Sequence, residues 1–194
     1  MTRIIAGVAG GRRLTVPDGK GTRPTSDRAR EGLFSTLVSL LGPLAGVRVL
    51  DLYAGSGAVG LEALSRGAGH ALLVDADPKA VSALRRNVAA LGLPGADVRA
   101  DKVERVVGVR PPAPYDAVFA DPPYAMTAAA VTAVIAQLVV NGWLGQGGIV
   151  AVERSSRAEA WRWPAGIEPV RDRRYGEATL WYGRRASGAA SDEA

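Results

Sequence analysis

Residues 51–60 read DLYAGSGAVG, a G-x-G-x-x-G spacing at Gly55, Gly57 and Gly60 with an acidic residue, Asp75, twenty positions after the first glycine. Placed between a strand and a helix, that pattern is a nucleotide-binding fingerprint. The flanks supply the strand and the helix. Short apolar runs at 47–53 (VRVLDLY), 71–75 (ALLVD), 96–100 (ADVRA), 115–120 (YDAVFA) and 147–153 (GGIVAVE) alternate with stretches of helical periodicity. Continuously apolar strands separated by amphipathic helices imply a parallel sheet covered on both faces. The expected fold is therefore α/β, a doubly wound and mostly parallel sheet.

Helix signals agree with this reading. A helix should begin near Ser26, bury Ala29, Leu33, Phe34, Leu37 and Leu41, and stop at Gly42-Pro43. Asp77 can cap a helix that opens on Pro78 and buries Val81, Leu84, Val88 and Leu91. Val131, Val134, Ile135 and Leu138 repeat the spacing. Beyond residue 166, EPVRDRRYGEATLWYG reads as two strands joined by a turn, an antiparallel pair ending the sheet. Trp161 and Trp163, alternating with Arg162, read as a half-buried edge strand.

Composition excludes several chemistries. The 194 residues contain no cysteine and one histidine, so disulfides and thiolate metal sites are ruled out and no metal is expected. His70 precedes a strand on its amino-end side, where a surface or packing use is expected. The longest apolar region, near 125–140, is interrupted by Thr127, Thr132 and Gln137, so no membrane span is expected and the protein reads as cytoplasmic. Net charge is +5, and all of the excess lies in residues 1–30, which hold seven basic and two acidic side chains. A basic end on a neutral body suggests a polyanionic partner. Residues 3–16 (RIIAGVAGGRRLTV) read as a hairpin outside the main core, followed by a basic linker. Three segments are expected: a basic arm at 1–24, a body at 25–185 and a flexible tail at 186–194.

The glycine turn by itself admits two ligands. For a dinucleotide, the glycines let the backbone approach a pyrophosphate at a helix N-terminus, where negative charge is favoured. A carboxylate immediately before the turn, Asp51, is awkward beside that anion and suits a cation such as the α-amino group of S-adenosylmethionine. Asp75 serves either ligand, since both carry ribose hydroxyls. In an open α/β sheet the ligand lies beyond the carboxyl ends of the strands, and Asp51, Asp75, Asp101 and Asp121 fall at four such ends, as if sharing one rim.

A second motif decides between them. Residues 115–124, YDAVFADPPY, run from a buried strand into Asp121-Pro122-Pro123-Tyr124. The prolines lack N–H donors and fix φ, so strand pairing ends in a stiff tip that presents Asp121 and the Pro122 carbonyl. Two acceptors of this kind answer a specific difficulty: the exocyclic amine of a nucleobase is a weak nucleophile because its lone pair is delocalised into the ring. Accepting both N–H bonds favours a more tetrahedral nitrogen and aims its lone pair at an electrophilic methyl. Tyr124 can stack on an extruded base.

The ordered set DLYAGSG, LLVDAD, VRADK and ADPPY resembles the class I S-adenosylmethionine-dependent methyltransferases that act on amines. With RIIAGVAGGRRL and RPTSDRAREGLFSTL added, Arg3 to Tyr182 resembles more narrowly the bacterial 16S ribosomal RNA guanine-N2 methyltransferases. The resemblance implies a seven-stranded Rossmann-like methyltransferase sheet with a small N-terminal β-hairpin, and roles by position. Asp51, Tyr53, Ala54, Gly55, Ser56 and Gly57 would surround the methionine part of S-adenosyl-L-methionine, and Asp75 its ribose. Ala76, Asp101 and Lys102, the last through its backbone N–H, would border the adenine. Asp121, Pro122, Pro123 and Tyr124 would hold the guanine. Arg3, Arg12, Arg13, Arg23 and Arg28 would engage 16S ribosomal RNA, naked or within the small ribosomal subunit, with the enzyme a monomer. The rival readings are a DNA adenine-N6 or cytosine-N4 methyltransferase, which would need a target-recognition insert that is not visible, and a non-catalytic RNA-binding assembly protein, against which intact DPPY and Asp51 argue.

Overall fold

The computed structural model describes residues 2–17, 26–158 and 161–187. Two short strands, β1 (Thr2–Arg3) and β2 (Arg13–Leu14), pair antiparallel. They are followed by α1 (Asp27–Leu41), β3 (Arg48–Leu52), α2 (Ala58–Ser65), β4 (His70–Asp75), α3 (Pro78–Leu91), β5 (Ala96–Ala100) and α4 (Val103–Val107). The chain ends with β6 (Tyr115–Ala120), α5 (Ala128–Val140), β7 (Leu144–Ser155), β8 (Ile167–Tyr175) and β9 (Ala178–Arg185). The main sheet has seven strands in the order β5-β4-β3-β6-β7-β9-β8. β5, β4, β3, β6 and β7 run parallel, and β9 lies antiparallel between β7 and β8.

This topology fixes where a ligand can bind. From β3 the chain moves outward through β4 and β5, then crosses back to β6 on the other side of β3. Strand order reverses between β3 and β6, so the crevice lies above the carboxyl ends of those two strands.

Local chemistry sets the helices as the sequence predicts. Ser26 caps α1, its Oγ accepting from the Ala29 amide at 3.1 Å, and Gly42 at φ 83° ends it. Asp77 caps α3 by accepting from the Lys79 and Ala80 amides, with Pro78 in the first turn. Ala29, Leu33, Phe34 and Leu37 are buried, and Leu41 is half-buried. Among the described residues no helix is long and apolar enough to cross a membrane.

Gly32 sits in the middle of α1, where glycine costs about 1 kcal/mol relative to alanine. The reason is on β8: a Cβ at Gly32 would lie 1.9 Å from Tyr175 Oη. The glycine lets the edge of the sheet approach the helix backbone.

The N-terminal hairpin departs from expectation. It is not outside the core, because Ile4, Ala9 and Leu14 are buried in the same cluster as Leu33, Phe34, Leu61 and Leu64. Its loop is held by buried polar groups of α2: Ile5 and Ala6 donate their amides to the Glu62 carboxylate at 2.7 and 2.9 Å, and Ala9 donates to Ser65 Oγ at 2.9 Å. Asn87 on α3 closes the other side, bonding both the amide and the carbonyl of Thr15. The physical reason is that the hairpin's apolar residues need a partner, and α2, buried along its whole length, offers no water to compete for those amides.

Residues 161–164 also differ from the reading as a strand. They are irregular, with Trp161 buried in the second core cluster and set edge-on to Trp163 at 85°. His70 lies where expected, at the amino end of β4, with Nε2 3.2 Å from Tyr115 Oη.

Candidate active site

The site is built on the turn between β3 and α2. Three alternate residues take left-handed backbone: Tyr53 at φ 60°, Gly55 at φ 57° and Gly57 at φ 79°. Tyr53 is the only non-glycine of this kind among the described residues, a conformation that costs roughly 1–2 kcal/mol. Its hydroxyl donates to Met126 Sδ at 3.4 Å, tying the turn to the loop after β6. Burial, then the negative charge of Glu104, push the Tyr53 phenol well above its ordinary value.

Four amides in and beside the turn are engaged within the protein. Ala54 donates to the Val74 carbonyl at 2.9 Å and Gly57 to the Ala54 carbonyl at 2.7 Å. Gly55 donates to Asp75 Oδ2 at 2.8 Å and Gly60 to Asp51 Oδ2 at 2.9 Å. A pyrophosphate cradle needs such N–H groups pointing outward and unpaired. Here the Gly55 and Gly60 amides are taken by carboxylates, so two acids stand beside the turn where a pyrophosphate would be repelled.

The other glycine positions serve approach and packing. A Cβ at Gly55 would meet nothing within 4 Å, leaving the outer face of the turn open. At Gly57 it would come within 2.3 Å of Leu84 Cδ1, and at Gly60 within 2.7 Å of Leu73 Cδ2. Tyr53, Ala54 and Gly55 are therefore the half-exposed members of the turn, while Ser56 and Gly57 lie buried behind it. The Ser56 carbonyl accepts from Asn87 Nδ2 at 2.8 Å, so the hairpin clamp and the turn share one side chain.

The four acids do not form one rim. Asp75 ends β4, and Asp101 and Asp121 directly follow β5 and β6, but Asp51 is one residue inside β3, registered against Leu73 and Phe119 and only 1% exposed. Burial, opposed by the Gly60 amide and reinforced by the charge of Asp75, raises its pKa to about 7. Asp75 also accepts the Asp77 amide at 2.9 Å through Oδ1, and each oxygen keeps a further lone pair for a hydroxyl donor. Ala76 is exposed beside it. Asp101 Oδ1 accepts both the Lys102 amide at 2.8 Å and Arg105 Nη1 at 3.0 Å. The Lys102 N–H, expected to face a purine, is thus engaged by its neighbour, which leaves the Asp101 carboxylate as the polar group on that side.

The proline tip is braced from behind. The Asp121 amide makes the last rung to the Leu52 carbonyl at 3.4 Å, and Pro122 is buried. The Pro123 carbonyl accepts from the Met126 amide at 2.8 Å, and the Met126 carbonyl accepts from Arg154 Nη2 at 3.1 Å. Tyr124 stands 62% exposed at the mouth of a cavity of about 410 Å³ shared with Arg28, Glu153, Arg174, Tyr175 and Glu177. Glu153 and Arg154 were not singled out by sequence. Their signal was the abrupt change from apolar to charged residues at the end of GGIVAVER, where a buried strand reaches the rim.

The arginines expected at a nucleic acid separate into distinct environments. Arg28 lines the Tyr124 cavity, and Arg13 is exposed on β2. Arg3 is exposed and lies 3.5 Å from Asp27. Arg12 instead donates to the Ala90 and Leu91 carbonyls at the C-terminus of α3, a capping role that satisfies helix carbonyls. Arg23 lies outside the described residues. Arg30 is fully buried and donates to the Arg3 carbonyl at 2.7 Å and to Asp27 at 2.8 Å.

Known proteins resemble this chain in sequence and in fold. The family model described as Conserved hypothetical protein 95 matches residues 2–184. The chain is 40% identical over 151 residues to ribosomal RNA small subunit methyltransferase D of Escherichia coli strain K12, covering 78% of this chain and 73% of that one. The protein of the same description from Haemophilus influenzae is 33% identical over 154 residues, covering 78% and 77%. The solved structure of the Escherichia coli protein yhhF superposes with a TM-score of 0.83 at 35% identity, covering 95% of this chain and 97% of that one.

Proposed function

From the premise that this chain belongs to the family described as Conserved hypothetical protein 95, and with its likeness to ribosomal RNA small subunit methyltransferase D, we propose that it methylates the exocyclic N2 of a guanine in 16S ribosomal RNA, using S-adenosylmethionine. The observation that carries the cofactor choice is the pair of carboxylates, Asp75 and Asp51, that take the Gly55 and Gly60 amides beside the turn. The residues fit that cofactor: an open face at Gly55, a buried acid below it and, at the end of β4, an acid with lone pairs left for hydroxyl donors.

S-adenosylmethionine, when bound, supplies a methyl group on a sulfonium. Asp51 and the Tyr53–Gly57 turn would hold its methionine part, Asp75 its ribose, and Ala76, Asp101 and Lys102 would border its adenine. The chain's own contribution at the acceptor is positioning. The Asp121 carboxylate and the Pro122 carbonyl accept the two N–H bonds of the guanine amine, which localises the nitrogen lone pair. The Asp121 carboxylate is the first acceptor for the proton that the nitrogen sheds. Tyr124 stacks on the extruded base, and Arg28 beside it meets a flanking phosphate. Of the other basic residues at the N-terminus, Arg3 and Arg13 remain candidates for the RNA backbone, whereas Arg12 serves α3.

The test incubates the protein and labelled S-adenosylmethionine with 16S ribosomal RNA and with small subunits, both from a strain lacking the gene, and identifies the product nucleoside by mass spectrometry. N2-methylguanosine is expected. Methyladenosine, methylcytidine or no transfer to either substrate overturns the reading.

A further inference from the structure

We propose that the groove between α1 and the edge strand β8 is a second nucleic-acid site, which holds the sugar-phosphate backbone of the RNA strand leading into the Tyr124 cavity. This rests on the RNA-methylating reading above. The groove has a volume of about 370 Å³. One wall is a single face of α1, where Ser35, Thr36 and Ser39 follow Gly32 at three-, four- and seven-residue steps. The facing wall is formed by Arg171 and Arg173 of β8, with Arg174 bordering the groove, and its described lining residues include no carboxylate.

Register explains the concentration of charge. Arg171 and Arg173 stand opposite Tyr182 and Leu180 of β9, two residues of the core cluster that contains Leu33 and Phe34, so these arginines face α1. Asp172, between them, pairs with Trp181, which packs with the other cluster, and so points to the opposite face. Guanidinium groups across from the exposed Ser35 and Ser39 hydroxyls match a phosphodiester: forked charge-assisted donors on one side, neutral donors on the other. An acidic protein partner would offer carboxylates to the same arginines. It is disfavoured by continuity, because Arg174 and Tyr175 line both this groove and the Tyr124 cavity, where a base is to be received.

The test is RNA binding by Arg171→Gln/Arg173→Gln, with Ser35→Glu as an independent variant that places negative charge on the helix wall. The probe is an unmodified 16S ribosomal RNA transcript, titrated at several salt concentrations, with S-adenosylmethionine affinity measured by calorimetry in parallel. Loss of two phosphate contacts should weaken binding about tenfold near physiological salt and lower the slope of log K against log salt by about 1–2. Cofactor affinity should be unchanged in both variants. RNA affinity and slope within twofold of wild type, absence of salt-dependent transcript binding by wild type, or a defect confined to assembled subunits and so pointing to a protein partner, each overturns the proposal. Failure of the wild-type protein to methylate guanine in either substrate would instead defeat the functional reading itself.

Discussion

Asp51 and Gly60 are bound to each other across the turn that opens α2, the Gly60 amide donating to Asp51 Oδ2 at 2.9 Å while the carboxyl is 1% exposed. With its pKa raised to about 7 from an ordinary 3.8, Asp51 is protonated in the folded chain over a pH range where the unfolded chain has ionised it. The folded state binds the extra proton, so stability falls as pH rises from about 4 to about 7, and the penalty is complete above that.

Asp51→Asn removes this penalty and keeps an acceptor for Gly60. Urea unfolding should find the variant equal to wild type near pH 4 and more stable at pH 8, by at most roughly 4 kcal/mol. Its affinity for S-adenosylmethionine should drop at the same time. If the cofactor's amino group is held by the Asp51 carboxylate as proposed, wild-type affinity should weaken about tenfold per pH unit below 7, whereas the variant's should be flat. A wild-type affinity independent of pH between 5 and 8 would remove Asp51 from the cofactor's partners.

On the proposed mechanism, in which the acceptor acts on the target nitrogen during transfer, Asp121→Ala should lower kcat by roughly 10²–10³ with cofactor affinity within a few-fold of wild type. Tyr124→Phe should retain most activity. Tyr124→Ala should weaken productive RNA binding by an amount equivalent to about 1–3 kcal/mol, the worth of one stacked base. Single-turnover kinetics separate the two effects.

Because the hairpin is part of the core, removing residues 1–24 would strip Ile4, Ala9 and Leu14 from it and leave the buried Glu62 carboxylate with Arg66 but without its two amide donors. Point changes discriminate better. Ile4→Ala should cost roughly 2–5 kcal/mol of stability, whereas Arg13→Gln should leave stability unchanged and reduce RNA affinity. Equal unfolding midpoints for Ile4→Ala and wild type would contradict the packing described here.

Gly32→Ala places a methyl 1.9 Å from Tyr175 Oη. The usual gain of about 1 kcal/mol for alanine in a helix should be cancelled or reversed. Tyr175 must move, and RNA affinity should fall more than cofactor affinity does. Thermal unfolding and the transcript titration read the two effects independently.

Much of the frame was legible because each signal was local. Ser26 and Asp77 cap helices whatever lies around them, and runs such as ALLVD declare a doubly covered strand. What escaped was long-range. Nothing near Glu62 in sequence says that it will bond Ile5 and Ala6, more than fifty positions away, and those bonds are what draw the hairpin into the core. Asp51 illustrates a finer limit: its strand was evident, but whether the side chain lay at the rim or one residue below depended on register with β4 and β6. Arg12 was read by its charge when its neighbours in space are helix carbonyls.

Among the described residues β8 leaves one row of its backbone amides and carbonyls without a sheet partner, since it is the last strand of the order. Exposed rows of this kind template unwanted strand addition, and densely charged residues with an intervening proline are a common deterrent. Glu168, Pro169, Arg171, Asp172, Arg173 and Arg174 supply such a deterrent here. Colloidal behaviour and substrate capture would then draw on the same arginines, so drift toward a neutral edge would be opposed twice: by aggregation of the free enzyme and by loss of grip on its polymer.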